Sequence, residues 1–349
     1  MLNLVIIGYG GMGRHHAKDL ISQTRHVQCV GAYDTDPDNL EKAGLDGFIM
    51  YQTFETVLDD DGVDAILIAT PNDYHEYIAI QALQAGKHVI CEKPVTLTAA
   101  SLERIMVVAK AMERTFMVHQ NRRWDDDYLI IRNIYENQEI GDVFHIESRI
   151  HGGNGIPGDW RCEAVHGGGM VYDWGVHVFD QLLMMIKSPV ISVSSDLSFV
   201  LGHDSDDGFV TQLIFENGIR AHIEVATTNF ITLPRWYVKG LTGTAVIHDW
   251  NRNGEMVLLR ANVDHVPPKP IRAGAGFTKT MAPLREASLE RKPLPEPLVL
   301  DTTFYDNFAA VVAGTAMPYV ANDEVMRVMV LLETVFEAFE TQQTIHTRI

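Results

Sequence analysis

Three side chains in this sequence have the types and placement to do chemistry. Lys93 ends the apolar run His88-Val89-Ile90-Cys91-Glu92 and is followed at once by Pro94. Asp173 and His177 stand four residues apart in Gly167-Gly168-Gly169-Met170-Val171-Tyr172-Asp173-Trp174-Gly175-Val176-His177. A lysine at the C-terminal end of a strand in an open α/β sheet faces the crevice where such sheets bind ligands. The X-Pro bond after it is of the kind that can be cis. Read as a helix, the second stretch puts Asp173 and His177 on one face. A histidine held near a carboxylate can act as general acid or base near neutral pH. The glycines at the entrance of that stretch allow another backbone or a ligand to come close. Each motif alone also has an ordinary reading: a surface lysine, a helix ion pair, a core histidine.

The elements that must position these groups begin at the N-terminus. Leu2 to Ile7 is an apolar, β-branched run. Gly8-Tyr9-Gly10-Gly11-Met12-Gly13 follows it and opens a helical stretch to about Ser22. A G-x-G-x-x-G is informative when it follows a strand and opens a helix. Gly8 then permits the tight turn, Gly10 lets a pyrophosphate approach the backbone, and Gly13 lets helix and strand pack closely. The helix N-terminus offers free N–H groups to phosphates, and Gly11 and Met12 sit there. The second strand, Val27 to Tyr33, ends at Asp34, at the distance expected of the acidic residue that binds the adenosine ribose. Its carboxylate disfavours a 2′-phosphate, so NAD is expected, with NADP as the alternative; Asp34 as a helix cap is the plainer reading.

Strand and helix signals then alternate. Strands are expected at 47–51, 64–69, 87–91 and 115–119, and helices at 53–60, 74–85 and 98–114. Such alternation implies a doubly wound parallel sheet. The strand ends Thr70-Pro71-Asn72 and Glu92-Lys93 would line its crevice.

After residue 121 the pattern changes. Short strands are expected at 143–150, 190–200, 208–215, 219–227, 235–239, 244–249 and 255–259. Two of the turns, Glu216-Asn217-Gly218 and Asn251-Arg252-Asn253-Gly254, carry hairpin signals. Consecutive hairpins make a mostly antiparallel sheet. Residues 262–298, rich in proline, read as one long loop, and helices at 303–315 and 323–340 close the chain.

Composition excludes several classes. The chain has 349 residues, 46% of them hydrophobic, and a formal net charge of −18. So acidic a surface repels nucleic acid and anionic membranes. No apolar run is long enough to span a bilayer. The three cysteines, Cys29, Cys91 and Cys162, have neither metal-site nor disulfide spacing, so no metal is expected. With no signal-peptide pattern at the N-terminus, a reducing, cytoplasmic setting follows.

Taken in order, Gly8-x-Gly10-x-x-Gly13, Thr70-Pro71-Asn72-x-x-His75, Glu92-Lys93-Pro94 and Gly167-Gly168-Gly169-x-x-x-Asp173-x-x-x-His177 resemble the glucose–fructose oxidoreductase / inositol dehydrogenase (Gfo/Idh/MocA) family, over nearly the whole length. The resemblance implies a Rossmann domain at 1–121. It also implies an α+β domain at 122–349, built on a large open, mostly antiparallel sheet that commonly makes homodimer or homotetramer contacts. The implied activity is NAD(P)-dependent hydride transfer to or from a sugar, a cyclitol or a related polyol. Lys93 matches the family's catalytic lysine, and Asp173 and His177 its Asp and His pair. His75 and Glu92 fall in cofactor-side motifs. Asp159-Trp160-Arg161 and Asn121-Arg122-Arg123-Trp124 look like stretches of scyllo-inositol and anhydrofructose-type members. This makes Trp160 and Arg161 candidate cofactor contacts, and Arg122 and Trp124 candidate substrate contacts. Several of those relatives prefer NADP, against the indication of Asp34. Two other readings stay open: a redox-assisted glycoside-cleaving enzyme and a non-catalytic dinucleotide-binding regulator. The presence of the Lys, Asp and His set weighs against the regulator.

Overall fold

A computed structural model describes residues 1–261 and 269–349. Its first sheet has six strands: β1 (Leu2–Ile7), β2 (Val27–Tyr33), β3 (Ile49–Met50), β4 (Ala65–Ile68), β5 (His88–Cys91) and β6 (Phe116–Val118). They run parallel in the order β3-β2-β1-β4-β5-β6. All four residues of β4 are buried. That is what a central strand covered on both faces requires, and it explains the unbroken apolar run in the sequence. Strand order reverses at β1 and β4, so the crevice opens beyond their C-terminal ends.

The intervening helices are α1 (Gly11–His15), α2 (Pro37–Leu45), α3 (Phe54–Leu58), α4 (His75–Gln84) and α5 (Ala99–Ala111). Thr53 and Thr98 cap α3 and α5, accepting from the N–H groups of Thr56 and Ser101. Asp36 caps α2, with Pro37 at its first position. The helix expected to Ser22 is α-helical only to His15; a π turn (His16–Leu20) and a 3-10 turn continue it.

After α6 (Asp126–Glu136) comes a second sheet built from β7 (Val143–His151), β8 (Val190–Ser198), β9 (Gly208–Phe215), β10 (Arg220–Ala226), β11 (Trp236–Gly240), β12 (Gly243–Ile247) and β13 (Gly254–Leu259). It is antiparallel except where β7 pairs with β10. Alternating burial along β10 shows one face turned to the core. Both expected hairpins form, β9–β10 and β12–β13. The α7 helix (Val176–Met185) is buried along its whole length beneath this sheet.

The expected long loop is a correction. Residues 262–268 lie outside the described residues. Beyond them β14 (Ile271–Ala273) and β15 (Gly276–Thr278) pair with each other, and β16 (Leu289–Lys292) joins the edge of the large sheet. Few of these side chains are buried, so the period-two pattern that marks a half-buried strand never develops. The chain closes with α8 (Phe304–Val312), α9 (Asn322–Thr341) and β17 (Ile345–His346), the last at the opposite edge of that sheet.

The closing helices return to the first sheet. Asn322 donates to the Phe116 carbonyl at 3.1 Å, and Glu333 accepts from the Ala99 N–H at 2.8 Å. Between the two sheets Arg123 is fully buried, with Asp180 held at 2.8 and 2.6 Å and Glu324 at 2.7 Å.

Candidate functional site

The C-terminal ends of β1, β2, β4 and β5 open into a cleft of about 980 Å³ whose far wall is the loop and π turn preceding α7. At its first end, Gly8 holds φ +92°, a conformation few side chains tolerate. A Cβ on Gly13 would fall 2.0 Å from the Gly8 carbonyl oxygen. Gly13 therefore shapes the turn from behind and does not line the cleft. Gly10 and Gly11 do line it, and a Cβ on either would meet nothing within 4 Å. The result is a backbone cradle beside Met12. Asp34 faces the same space, its carboxylate accepting from the Tyr9 N–H at 2.7 Å and the Asp36 N–H at 2.8 Å. This cradle, the acidic group 24 residues on and the cleft volume fit a dinucleotide.

Thr70, Pro71 and Asn72 line the next stretch, and Asn72 donates across the cleft to the Gly167 carbonyl at 3.1 Å. His75, expected among the cofactor contacts, is buried instead. Its Nε2 lies 3.0 Å from the Thr70 carbonyl and its Nδ1 3.0 Å from the Pro94 carbonyl. It braces two cleft-lining loops and does not face the cleft itself.

The Lys93–Pro94 bond is cis. Lys93 Nζ donates to Asp173 Oδ1 at 2.8 Å and to the Asp173 carbonyl at 3.0 Å. This corrects the expected pairing of Asp173 with His177. Residues Val171–Gly175 form a π turn, so the spacing of a regular α-helix does not apply there. Burial would raise the Asp173 carboxyl, but the Lys93 ammonium holds it below the usual carboxylate range. His177 is 5% exposed, and its Nδ1 has no hydrogen-bond partner. Burial first, and then the cations of Lys93 and Arg122, hold this imidazole well below its ordinary range, so it is neutral. All three side chains line the cleft. The arrangement offers a fixed ammonium, a carboxylate bound to it, and a neutral imidazole.

Gly169 (φ +98°) and Asp206 set the entrance to this wall. The Asp206 carboxylate accepts from the Met170 and Val171 N–H groups at 2.9 and 3.1 Å. Burial pushes Asp206 up to about 7. A Cβ on Gly169 would fall 2.2 Å from its Oδ1.

Trp160, Arg161 and Arg122 line the cleft, and Arg161 stacks on Trp160 at 4.6 Å. Trp124 does not. Its indole donates to the Thr302 carbonyl at 2.9 Å and packs on Phe304 and Tyr319, so it braces the closing segment. The aromatic side chain that does face the cleft is Trp174, under the Arg122 guanidinium at 4.1 Å and beside the His177 ring. Trp174 adjoins Asp173 in the sequence, but helical periodicity gives no reason to turn it inward. A side chamber of about 440 Å³ continues past Asp173 and Trp174 to His151, Thr227 and Trp250.

Glu92 lines the cleft with part of its side chain, yet its carboxylate points back into a buried group. Its Oε1 is 2.7 Å from both His16 Nε2 and His119 Nδ1. These three ligand-type atoms lie within 4.8 Å of one another, and all are engaged by the hydrogen bonds among them. Neither His16 nor His119 is signalled by motif or period, since strand topology alone brings them together. No helix among the described residues is long and apolar enough to cross a membrane.

Comparison with known proteins gives the same picture. Residues 2–120 match the family model for the GFO/IDH/MocA oxidoreductase family with an NAD-binding Rossmann fold, and residues 128–246 match the GFO/IDH/MocA C-terminal domain. An NAD-binding protein from Listeria innocua, known from its crystal structure, is 54% identical, with 99% of each chain covered and a TM-score of 0.97. Among curated relatives, an uncharacterised oxidoreductase of Escherichia coli, YdgJ, is 31% identical over 55% of this chain and 56% of its own. The chain spans about half the length of the first curated relatives it matches. The NADP-dependent scyllo-inositol 2-dehydrogenase of Bacillus subtilis is 22% identical over 97% of this chain and 94% of its own.

Proposed function

Because this chain belongs to the GFO/IDH/MocA oxidoreductase family, we propose that it is a nicotinamide-dependent dehydrogenase or reductase acting on a CH–OH carbon of a cyclic polyol or sugar. The observation that carries the reading is the convergence of Lys93, Asp173 and His177 on one cleft, whose other end is the Gly8–Gly13 cradle. The Listeria protein supports the dinucleotide assignment, and the Bacillus inositol dehydrogenase supports the polyol class. Asp34 supports NAD over NADP, through its repulsion of a 2′-phosphate.

Gly10, Gly11, Met12, Asp34, Thr70, Pro71, Asn72, Trp160 and Arg161 would hold the dinucleotide. Bound there, the nicotinamide supplies the acceptor or donor for hydride. The chain does the rest. His177, neutral and lining the cleft, takes the proton of the substrate hydroxyl as the adjoining C–H bond breaks, and returns it in reduction. Lys93 stabilises the oxygen as negative charge develops on it, in a cleft partly closed to water. Asp173 fixes the ammonium and keeps the pair neutral overall. Arg122 and Trp174 offer a hydrogen-bonding edge and an apolar face to a ring substrate. The reading includes a cytoplasmic setting and assembly as a homodimer or homotetramer.

The experiment is absorbance at the NADH wavelength with purified protein, NAD or NADP, and a panel of inositols, hexoses, pentoses and their glycosides. Turnover of a cyclitol or sugar is expected. No turnover across the panel, in protein that binds NADH, would overturn the reading.

A further inference from the structure

Behind Lys93 lies a buried, hydrogen-bonded group centred on the Glu92 carboxylate. Glu92 Oε1 accepts from His16 Nε2 and His119 Nδ1, and Oε2 accepts from the Lys93 backbone N–H at 3.1 Å. The Tyr305 hydroxyl meets His16 Nδ1. His16 comes from the π turn after the glycine cradle, His119 follows β6, and Tyr305 lies on α8. Three segments thus meet on one carboxylate, and a fourth, carrying Tyr305, reaches it through His16. The donors and acceptors match with Glu92 ionised and both imidazoles neutral: Tyr305 donates to His16, and His16 and His119 donate to Glu92.

We propose that His16, His119 and Tyr305 are positioning residues for Lys93, acting through an ionised Glu92 that pins the lysine's backbone and places a fixed negative charge beside the cleft. The inference rests on the roles given above to Lys93 and His177.

A carboxylate this buried needs its donors. Burial alone would raise Glu92, but His119 and His16 hold it well below the usual carboxylate range. The titratable groups facing it besides Lys93 are His16, His75, Cys91, His119, His177 and Tyr305. His16 is itself held neutral by burial and by His119. None of these neighbours can replace the two short charge-assisted bonds if one imidazole is lost. The charge also reaches His177, where it favours the protonated imidazole against burial and the nearby cations. Proton affinity at the acid–base residue is therefore tied to a carboxylate that never touches the reacting atoms.

Glu92 has a depressed proton affinity in the folded protein, so its ionised contribution is lost only as pH falls through that depressed value. Removing a donor moves this loss to higher pH. The test compares His119→Phe, which removes the donor, with His119→Asn, whose amide N–H can replace Nδ1–H. Full-length protein is assayed with the nicotinamide cofactor and the substrate from the panel. Expected for His119→Phe is at least a tenfold fall in kcat, NADH affinity unchanged, and a new acid limb in the pH profile. Expected for His119→Asn is near wild-type kcat and profile. Equal effects of the two variants, or a profile unmoved by His119→Phe, would overturn the proposal. Should His119→Phe not fold, Tyr305→Phe removes one hydroxyl and should shift the profile in the same direction by less; an unmoved profile again overturns it. Stoichiometric zinc in the purified protein would also overturn it, because the imidazole nitrogens would then be ligands and not donors. A substrate-free readout separates this inference from the proposed function. The His177 imidazole, followed by NMR titration, should move to lower pH in Glu92→Gln. An unmoved titration sinks the inference whether or not any polyol turns over.

Discussion

His177→Ala tests the centre of the proposed mechanism. The ring is 5% exposed and Nδ1 has no partner, so truncation removes packing against Trp174 and no hydrogen-bond network. A buried truncation of this kind costs about 1–3 kcal/mol, which leaves a typical domain folded. The chemical loss should be larger in effect. A positioned general base contributes about 10²–10⁴-fold, which at about 1.4 kcal/mol per factor of ten is about 3–5 kcal/mol of barrier. The glycine cradle lies on another segment, so NADH affinity, read by fluorescence titration, should not change. The pH profile adds a second signature. Polyol oxidation needs the neutral imidazole, and burial with Lys93 and Arg122 depresses its proton affinity. Wild-type oxidation should therefore persist well below pH 6.5, the ordinary histidine value, before an acid limb appears, and that limb should vanish in the variant. Turnover within about tenfold of wild type, on the scale a general base supplies, in protein with a normal melt, would refute the assignment.

Three further substitutions test the supports of the site. Gly13→Ala puts a Cβ 2.0 Å from the Gly8 carbonyl oxygen, so the cradle must open; NADH affinity should fall at least about tenfold, the equivalent of about 1.4 kcal/mol, and normal binding would show that the turn is not a phosphate cradle. Asp34→Ala removes the carboxylate expected to repel a 2′-phosphate; the NADP-to-NAD ratio of kcat/KM should rise at least about tenfold, again about 1.4 kcal/mol, and an unmoved ratio would take cofactor choice away from Asp34. Arg123→Ala leaves Asp180 buried without its partner, which should cost about 3–5 kcal/mol in urea unfolding, while a loss under about 1 kcal/mol would mean water replaces the guanidinium.

The strands of the first sheet and its glycine turn were legible because they rest on local signals. Apolar runs such as Ala65–Ile68 mark central parallel strands, Gly8 marks a φ few residues adopt, and Thr53 and Thr98 mark helix starts. The hairpins at Asn217-Gly218 and Asn253-Gly254 were legible for the same reason. The strands after residue 269 were not. Ile271–Ala273 and Gly276–Thr278 are exposed on both faces, so nothing forces a period on them.

The partner of Asp173 shows where reading by spacing stops. Four residues apart on a regular helix, Asp173 and His177 would face each other. The π turn at Val171–Gly175 changes that spacing, and Lys93, just past the end of β5, brings an ammonium within 2.8 Å of Asp173. The same principle separates Trp124 from Trp174. Trp124 follows the sixth strand, as a substrate-side residue should, but its indole N–H finds the Thr302 carbonyl, 178 residues away, and leaves the cleft. Trp174 had no signal beyond its neighbours and ends beneath Arg122. His16 and His119 make the case most sharply. One follows the glycine turn by three residues and the other comes directly after the sixth strand, and neither position advertises chemistry. They meet on Glu92 because β1, β5 and β6 run in the same direction, carrying their C-terminal ends to one edge of the sheet. Motifs locate the groups that touch ligands, whereas the groups that hold them are placed by topology. Those supporting residues are where the sequence was silent, and where substitution should separate positioning from chemistry.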